Sequence, residues 1–434
     1  LANVRSAIAV TIAPAALVAA AIALLLALHA AGAGFHGDPT AVVRDAPPDS
    51  RLWDVAGRRA PVIGVTLLVW LAVFAAALGV ERLSTRSGVP FDSHASRRRT
   101  GRIAARLLAL SLVYLPLLCL AGAALEPSLG AERWLLMLGS PALAALTLSA
   151  LGGYAALAVA CGATALAYAI DLIGGSALTQ LSLVGPNPAA GHRFYGIGNE
   201  LEACLVVLIL VGTGAALSVP VRLSYRRGTK GAPEAREASS CGPAAFLVVA
   251  LVFSFVFAYG RYGADVGAAI GLPLGAAVAA ALLAGRRDLA LLAFLLPIPA
   301  LVLLAAADLL THTNGHLTKT VLDAKSGGDV LAVFGHRLSE TARSFGRPVL
   351  LAGLPVVIAS AALAWLRRDR LAAWLRGLPA MRAALLGALA GTVVGTLAND
   401  SGVLLLEVGG AYLLVFVGFA WAESERPDAA RRIV

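Results

Sequence analysis

Apolar residues in this chain neither alternate nor gather into one block. They recur from end to end in runs of about twenty, divided by short polar stretches. A run of that length crosses a bilayer as a helix, because a helix satisfies its backbone N–H and C=O groups without water. The pattern predicts spans over 7–31, 61–80, 103–125, 134–151, 154–174, 199–219, 243–259, 266–285, 289–309, 348–366, 383–398 and 403–422. The expected fold is all-α, a polytopic transmembrane helical bundle of about 12 spans. It forms a single integral membrane domain over 1–434, with no fixed-period repeat and no room for a sizeable soluble domain.

Composition agrees, with 59% hydrophobic and 14% charged residues and a mean hydropathy of +0.81. Charge then sets the sides. Arg82, Arg86, Arg97, Arg98, Arg99 and Arg102 crowd the stretch between the second and third spans, which the positive-inside rule makes cytoplasmic. Alternation from there puts both termini inside, with about two thirds of the 35 basic residues cytoplasmic and about two thirds of the 25 acidic ones outside. The net charge of +10 is thus an orientation signal and implies no nucleic-acid partner. The four cysteines show neither a C-x-x-C pair nor metal spacing, so neither disulfides nor zinc is expected. The chain opens on Leu1, which suggests a trimmed start, and no cleavable signal-peptide pattern is read there.

Against this background four polar clusters stand out, and all fall on the predicted outer side. The first is His192-Arg193-Phe194-Tyr195-Gly196-Ile197-Gly198-Asn199-Glu200, with Glu202 two residues on. Its glycines let a backbone pass close to a ligand, Arg193 offers a planar fork for phosphate, and Glu200 is a general-base candidate at a span mouth. An interfacial aromatic and arginine anchor would look the same. The second is Arg261 to Asp265, in which Arg261 either grips a lipid phosphate or pairs with Asp265. The third is an extracytoplasmic loop, 310–347, between spans nine and ten, holding His316 and Lys319. Within it Leu331, Phe334, Leu338 and Phe345 recur at helical spacing, with Arg337 and Arg343 on the polar side, which predicts an amphipathic helix on the membrane surface. The fourth is Asn399 and Asp400, with Glu407 about 10 Å below them. A carboxylate at that depth needs a partner, for which Arg193 or Arg261 is expected. Glu200, Asp265, Asp308 and Asp400 would suit Mg²⁺ or Ca²⁺, although no spacing demands a metal.

Spans six to twelve resemble the O-antigen ligase and O-antigen polymerase superfamily. The resemblance rests on Arg193 to Ile209, on Tyr259-Gly260-Arg261 before a span closed by Arg286-Arg287, on the outer loop with Arg337 to Arg343 and Arg347-Pro348, and on Asn399 to Gly409. The arginine turn carries Tyr259-Gly260 where that family has serine, and its His-Asn pair is missing, so His316 or His336 would take the histidine's role. The resemblance implies outer-face transfer of glycan from a polyprenyl-diphosphate-linked donor to a polysaccharide acceptor, in a bacterial inner membrane and without a cofactor. Glu200, His316 and Asp265 are then the candidate catalytic groups. Arg193, Tyr195, Asn199, Arg261, Lys319, Arg337, Arg343, Asn399 and Asp400 would bind substrate. A transporter or flippase for a lipid-linked glycan, and a non-catalytic scaffold for envelope assembly, are the alternatives. A transporter would need polar groups near the midplane and a route to both sides, and the inner half-spans are almost bare, with Arg106 the main exception.

Overall fold

A computed structural model describes residues 2–37, 51–86, 92–185, 195–219, 234–286, 288, 292–311, 335, 339, 342–343, 353–399 and 402–424. Every long regular element among them is helical. In order these are α1 (Ala2–Ala30), α2 (Arg51–Arg59), α3 (Val65–Arg86), α4 (Asp92–Leu125), α5 (Leu129–Trp134), α6 (Ser140–Ala150), α7 (Gly153–Ile173), α8 (Ala177–Leu181) and α9 (Asn199–Leu217). There follow α10 (Glu234–Ala258), α11 (Ala268–Leu283), α12 (Pro297–Thr311), α13 (Leu354–Leu366), α14 (Arg368–Trp374), α15 (Pro379–Ala398) and α16 (Val403–Glu423). Eight stretches are long and apolar enough to cross a membrane, and four shorter apolar helices fall on other predicted spans. The chain is a multi-pass helical membrane protein.

One segment departs from the sequence reading. Residues 51–59 were expected in a polar loop, but they form α2, which continues through a π-helical turn at Ala60–Gly64 into α3. The reason is a partner: Val55 is buried, Arg58 pairs with Glu132 at 2.5 Å, and Arg51 pairs with Glu126. Those acids sit at the start of a second broken helix, in which α5 passes through a π turn at Leu135–Gly139 into α6. Trp70 Nε1 donates to the Met137 carbonyl inside that turn at 3.1 Å. Leu310 and Thr311 close α12, and the rest of the loop over 310–347, with its expected amphipathic helix, lies outside the described residues, save helical Gly335, Ser339, Ala342 and Arg343.

The centre of the bundle is α9, apolar on every face and buried along almost its whole length among α7, α10, α11, α15 and α16. By contrast Leu68, Leu71 and Val73 of α3 point outward, as lipid-facing residues do. Against α9, helices α11 and α15 meet backbone to backbone. A Cβ on Gly387 would lie 2.3 Å from the Gly275 carbonyl oxygen, and one on Gly391 would lie 2.7 Å from that of Gly271. Both helices therefore carry glycine at every fourth position along the contact, the spacing that lets membrane helices approach closely when lipid supplies no hydrophobic drive.

Helix α4 contains Pro116, which removes the hydrogen bond to the carbonyl four residues back. That carbonyl, on Leu112, accepts from Tyr412 Oη at 3.0 Å. The Val113 carbonyl accepts from Thr164 Oγ1 at 2.9 Å, and that of Pro116 itself from Tyr168 Oη at 2.8 Å. Two neighbouring helices, α7 and α16, thus supply the donors around the proline. Replacing Gly387 with leucine should destabilise the protein by about 1–3 kcal/mol through overpacking, read as a lower melting temperature of detergent-purified protein. Tyr412→Phe, which leaves the Leu112 carbonyl without its donor, should show a separate loss of about 1–2 kcal/mol in the same assay.

Candidate functional site

The polar groups converge at the end of the bundle where α9, α11 and α16 begin, the end that the charge rule assigns to the outside. Three backbone segments are tied together there. Tyr195 Oη donates to the Gly260 carbonyl at 2.7 Å, and the Tyr195 ring stacks on Phe35 with centroids 4.1 Å apart. The Ile197 N–H donates to the Gly263 carbonyl at 3.0 Å. Gly196 has φ +83°, and a Cβ there would lie 2.1 Å from the Gly263 oxygen, so only glycine fits. The glycine motif, expected to pass close to a ligand, passes close to the α10–α11 turn of the same chain.

That turn also holds the segment after α1. Arg261 Nη1 donates to the carbonyls of Phe35 at 3.2 Å and Gly37 at 3.1 Å, while the Phe35 N–H donates to the Arg261 carbonyl at 2.8 Å. Tyr262 Oη reaches the Leu25 carbonyl at 2.5 Å. Burial, with Tyr259 nearby, pushes its phenol up to about 12, so it serves as a neutral donor. Arg261, foreseen as a phosphate fork or a partner of Asp265, is placed as a clamp on the first loop. Asp265 is buried, and its Oδ1 accepts from the Gly267 N–H at 2.9 Å at the mouth of α11.

The acids of α9 face different ways. Glu200 and Glu202 are two residues apart, about 200° around the helix, so one first turn serves two environments. Glu202 is buried against α11: a Cβ on Gly267 would meet its carboxylate at 2.6 Å. Asn399, at the end of α15, donates from Nδ2 to Glu202 Oε2 at 2.8 Å and to Asn199 Oδ1 at 3.1 Å. The helix beginning at Ala268 adds its positive end. A buried carboxylate is thereby held by an amide and a helix terminus.

Glu200 is half-buried and lies within electrostatic reach of Arg59, whose burial at the end of α2 the sequence reading missed. Arg59 Nη2 donates to the Gly185 carbonyl at 2.6 Å, which fixes the guanidinium beside the residue preceding the stretch that contains Arg193. The signal was present in Arg58-Arg59, two adjacent arginines opening an apolar run, but it was read as loop. The π turn directly after Arg59 is a feature that recurs at functional sites.

Glu407 is corrected. Its Oε1 accepts from the Gly353 N–H at 3.0 Å, and the Leu354 N–H also donates to it, so it caps α13 where an arginine partner was expected. Asp171, likewise, caps α8 by accepting from the N–H groups of Leu178 at 3.0 Å and Thr179 at 2.7 Å. Arg343 is exposed. Arg193, His316, Lys319, Arg337 and Asp400 lie outside the described residues, as does His336. Among the described residues no three His, Cys, Asp or Glu side chains gather in a metal-binding group.

Comparison of the chain with protein-family models, curated proteins and solved structures gives no match. The class established by the structure is therefore the multi-pass helical membrane protein, with an acid, amide and arginine layer at one end.

Removing the Asn399 amide should leave Glu202 short of a donor in a low-dielectric site. Asn399→Leu is expected to destabilise by about 1–3 kcal/mol, and Glu202→Leu in that background to recover part of the loss. A double-mutant cycle on thermal unfolding in detergent measures the coupling, and strict additivity of the two changes would refute it.

Proposed function

We propose that this protein is a membrane transferase acting at its outer face, in a bacterial inner membrane, on a glycan carried by a polyprenyl diphosphate. The observation that carries the proposal is that Glu200 lies within electrostatic reach of Arg59, which directly precedes a π turn, at the bundle end where Asn199, Glu202 and Asn399 also meet. A carboxylate and a guanidinium within electrostatic reach of one another supply the two requirements of the reaction. The acceptor hydroxyl attacks the anomeric carbon and gives its proton to Glu200, while the bond from that carbon to the diphosphate oxygen breaks. The diphosphate leaves with the bonding electrons, and Arg59, with Arg193 from the adjoining stretch, meets its growing charge.

In this proposal Arg59 takes the phosphate role that the sequence assigned to Arg261, because Arg261 is engaged by the first loop. Asn199 and Asn399 hold Glu202 and so orient the first turn of α9, from which Glu200 projects. His316 is an alternative base in this proposal, and Lys319, Arg337, Arg343 and Asp400 contact the substrate. The transporter reading draws support from one observation at the opposite end. There Arg106 pairs with Glu423 at 2.5 Å and donates to the Ala422 carbonyl at 2.7 Å, so charged groups are buried near both ends of the bundle.

Depleting the protein in its host and following the polyprenyl-linked glycan by mass spectrometry, with an added glycosidase to report sidedness, tests the proposal. Outer-leaflet accumulation is expected, rescued by the wild-type protein. Glu200→Gln should lower the rescue rate about 10²–10⁴-fold and Arg59→Ala about 10²-fold, at equal protein levels in the membrane. Accumulation on the inner leaflet would favour a flippase. An unchanged pool would refute both glycan readings.

A further inference from the structure

A cavity of about 140 Å³ lies between α1, α10, α11 and α12, and neither Glu200 nor Arg59 lines it. Its walls are Ile22, Phe255, Ala269, Ala300 and Leu303, and the nearest polar side chain is Ser254. The Ser254 hydroxyl donates to the Ala268 carbonyl at 3.3 Å. Water in such a space would lack the two to four polar partners that hold a buried water in place. The cavity exists because Ala269 and Ala300 face it from two helices where larger side chains would fill it.

Its wall runs on to the lipid-facing surface. Leu303 lines the cavity and is 43% exposed, and its neighbours Ile298 and Val302 are 57% and 63% exposed. Leu24 on α1, beside the lining residue Ile22, is 62% exposed. An apolar belt of this kind on a multi-pass protein is its contact with the bilayer, and the cavity is an indentation in that contact. It also sits just below a helix-end polar layer, since Leu304 precedes buried Asp308 by one turn and Ala269 follows Asp265 by one turn.

We propose that the cavity is the seat of one acyl chain of a membrane phospholipid, which enters sideways between α1 and α12. The proposal does not depend on the transferase reading. A chain in this groove gains contact with aliphatic and aromatic walls that bulk lipid, packed only against other lipid, does not supply. It also fills a void that would otherwise weaken the packing of α1 onto α10.

The full chain reconstituted in nanodiscs with a phosphatidylcholine carrying a photoactivatable diazirine on its acyl chain tests this. After irradiation and digestion, adducts on the segments containing Ile22 and Leu303 should exceed those around Leu68 and Leu71 of α3 by roughly tenfold, the ratio set by about 1.4 kcal/mol of preference. Ala300→Trp should fill the cavity and bring those adducts down to the α3 level. Ala269→Leu narrows it from the opposite wall and gives the same readout if the tryptophan variant does not fold. Equal labelling of the two surfaces in the wild type, or adducts that persist in a folded filled variant, would overturn the proposal. So would displacement of the label by polyprenyl phosphate but not by unlabelled phosphatidylcholine, because the occupant would then be an isoprenoid.

Discussion

The glycine-to-glycine contact between α11 and α15 is the constraint from which the rest of the bundle follows. In a bilayer, helices gain little by burying leucine against leucine, since lipid is equally apolar, so association relies on close packing. Gly271 and Gly275 against Gly387 and Gly391 bring the two backbones together, and the Gly275 and Gly271 carbonyls lie within 2.3 and 2.7 Å of where a Cβ on Gly387 and Gly391 would sit. Helix α9 packs into the same seam through Gly214, whose missing Cβ makes room for Ala384. Once these three helices are locked, the start of α9, the start of α11 and the end of α15 must lie together. The polar layer is built on that junction.

Charge in this layer is tolerated because each group has a local answer. Glu202 is met by the Asn399 amide and the positive end of α11, Asp265 by the Gly267 N–H, and Glu407 by the open start of α13. Helix termini inside a membrane protein leave N–H groups that must be paired, and carboxylates need donors, so each satisfies the other. The same logic holds for α4, where the carbonyl released by Pro116 captures a tyrosine from α16. Glu200 differs from the capping acids because the group within its electrostatic reach, Arg59, is a charged side chain on a separate helix.

Much of this was legible. The apolar runs located the helices, the grouping of polar clusters at one end of the spans pointed to the right layer, and the glycines of Tyr195 to Gly198 signalled a close backbone approach. The identity of each partner was not legible. Residues 51–59 looked like loop because α2 is stabilised by Glu126 and Glu132, more than sixty residues away. Glu407 was assigned an arginine because a backbone N–H leaves no mark in a sequence. The repeated glycine spacing of α11 and α15 could have been read, but glycine every fourth residue is common in apolar helices and does not name its partner.

The sequence by itself determined that the chain is a multi-pass helical protein, and about where each helix lies, because the bilayer imposes one length and one backbone solution on every span. It also determined which residues would be expensive to bury, since charge in an apolar run is visible without any structure. Only the tertiary structure decided how those charges are answered. Facing of helices depends on contacts between residues far apart in the chain, and a shift of one position around a helix turns a side chain by about 100°. Two such steps separate Glu202, held by Asn399, from Glu200, within electrostatic reach of Arg59.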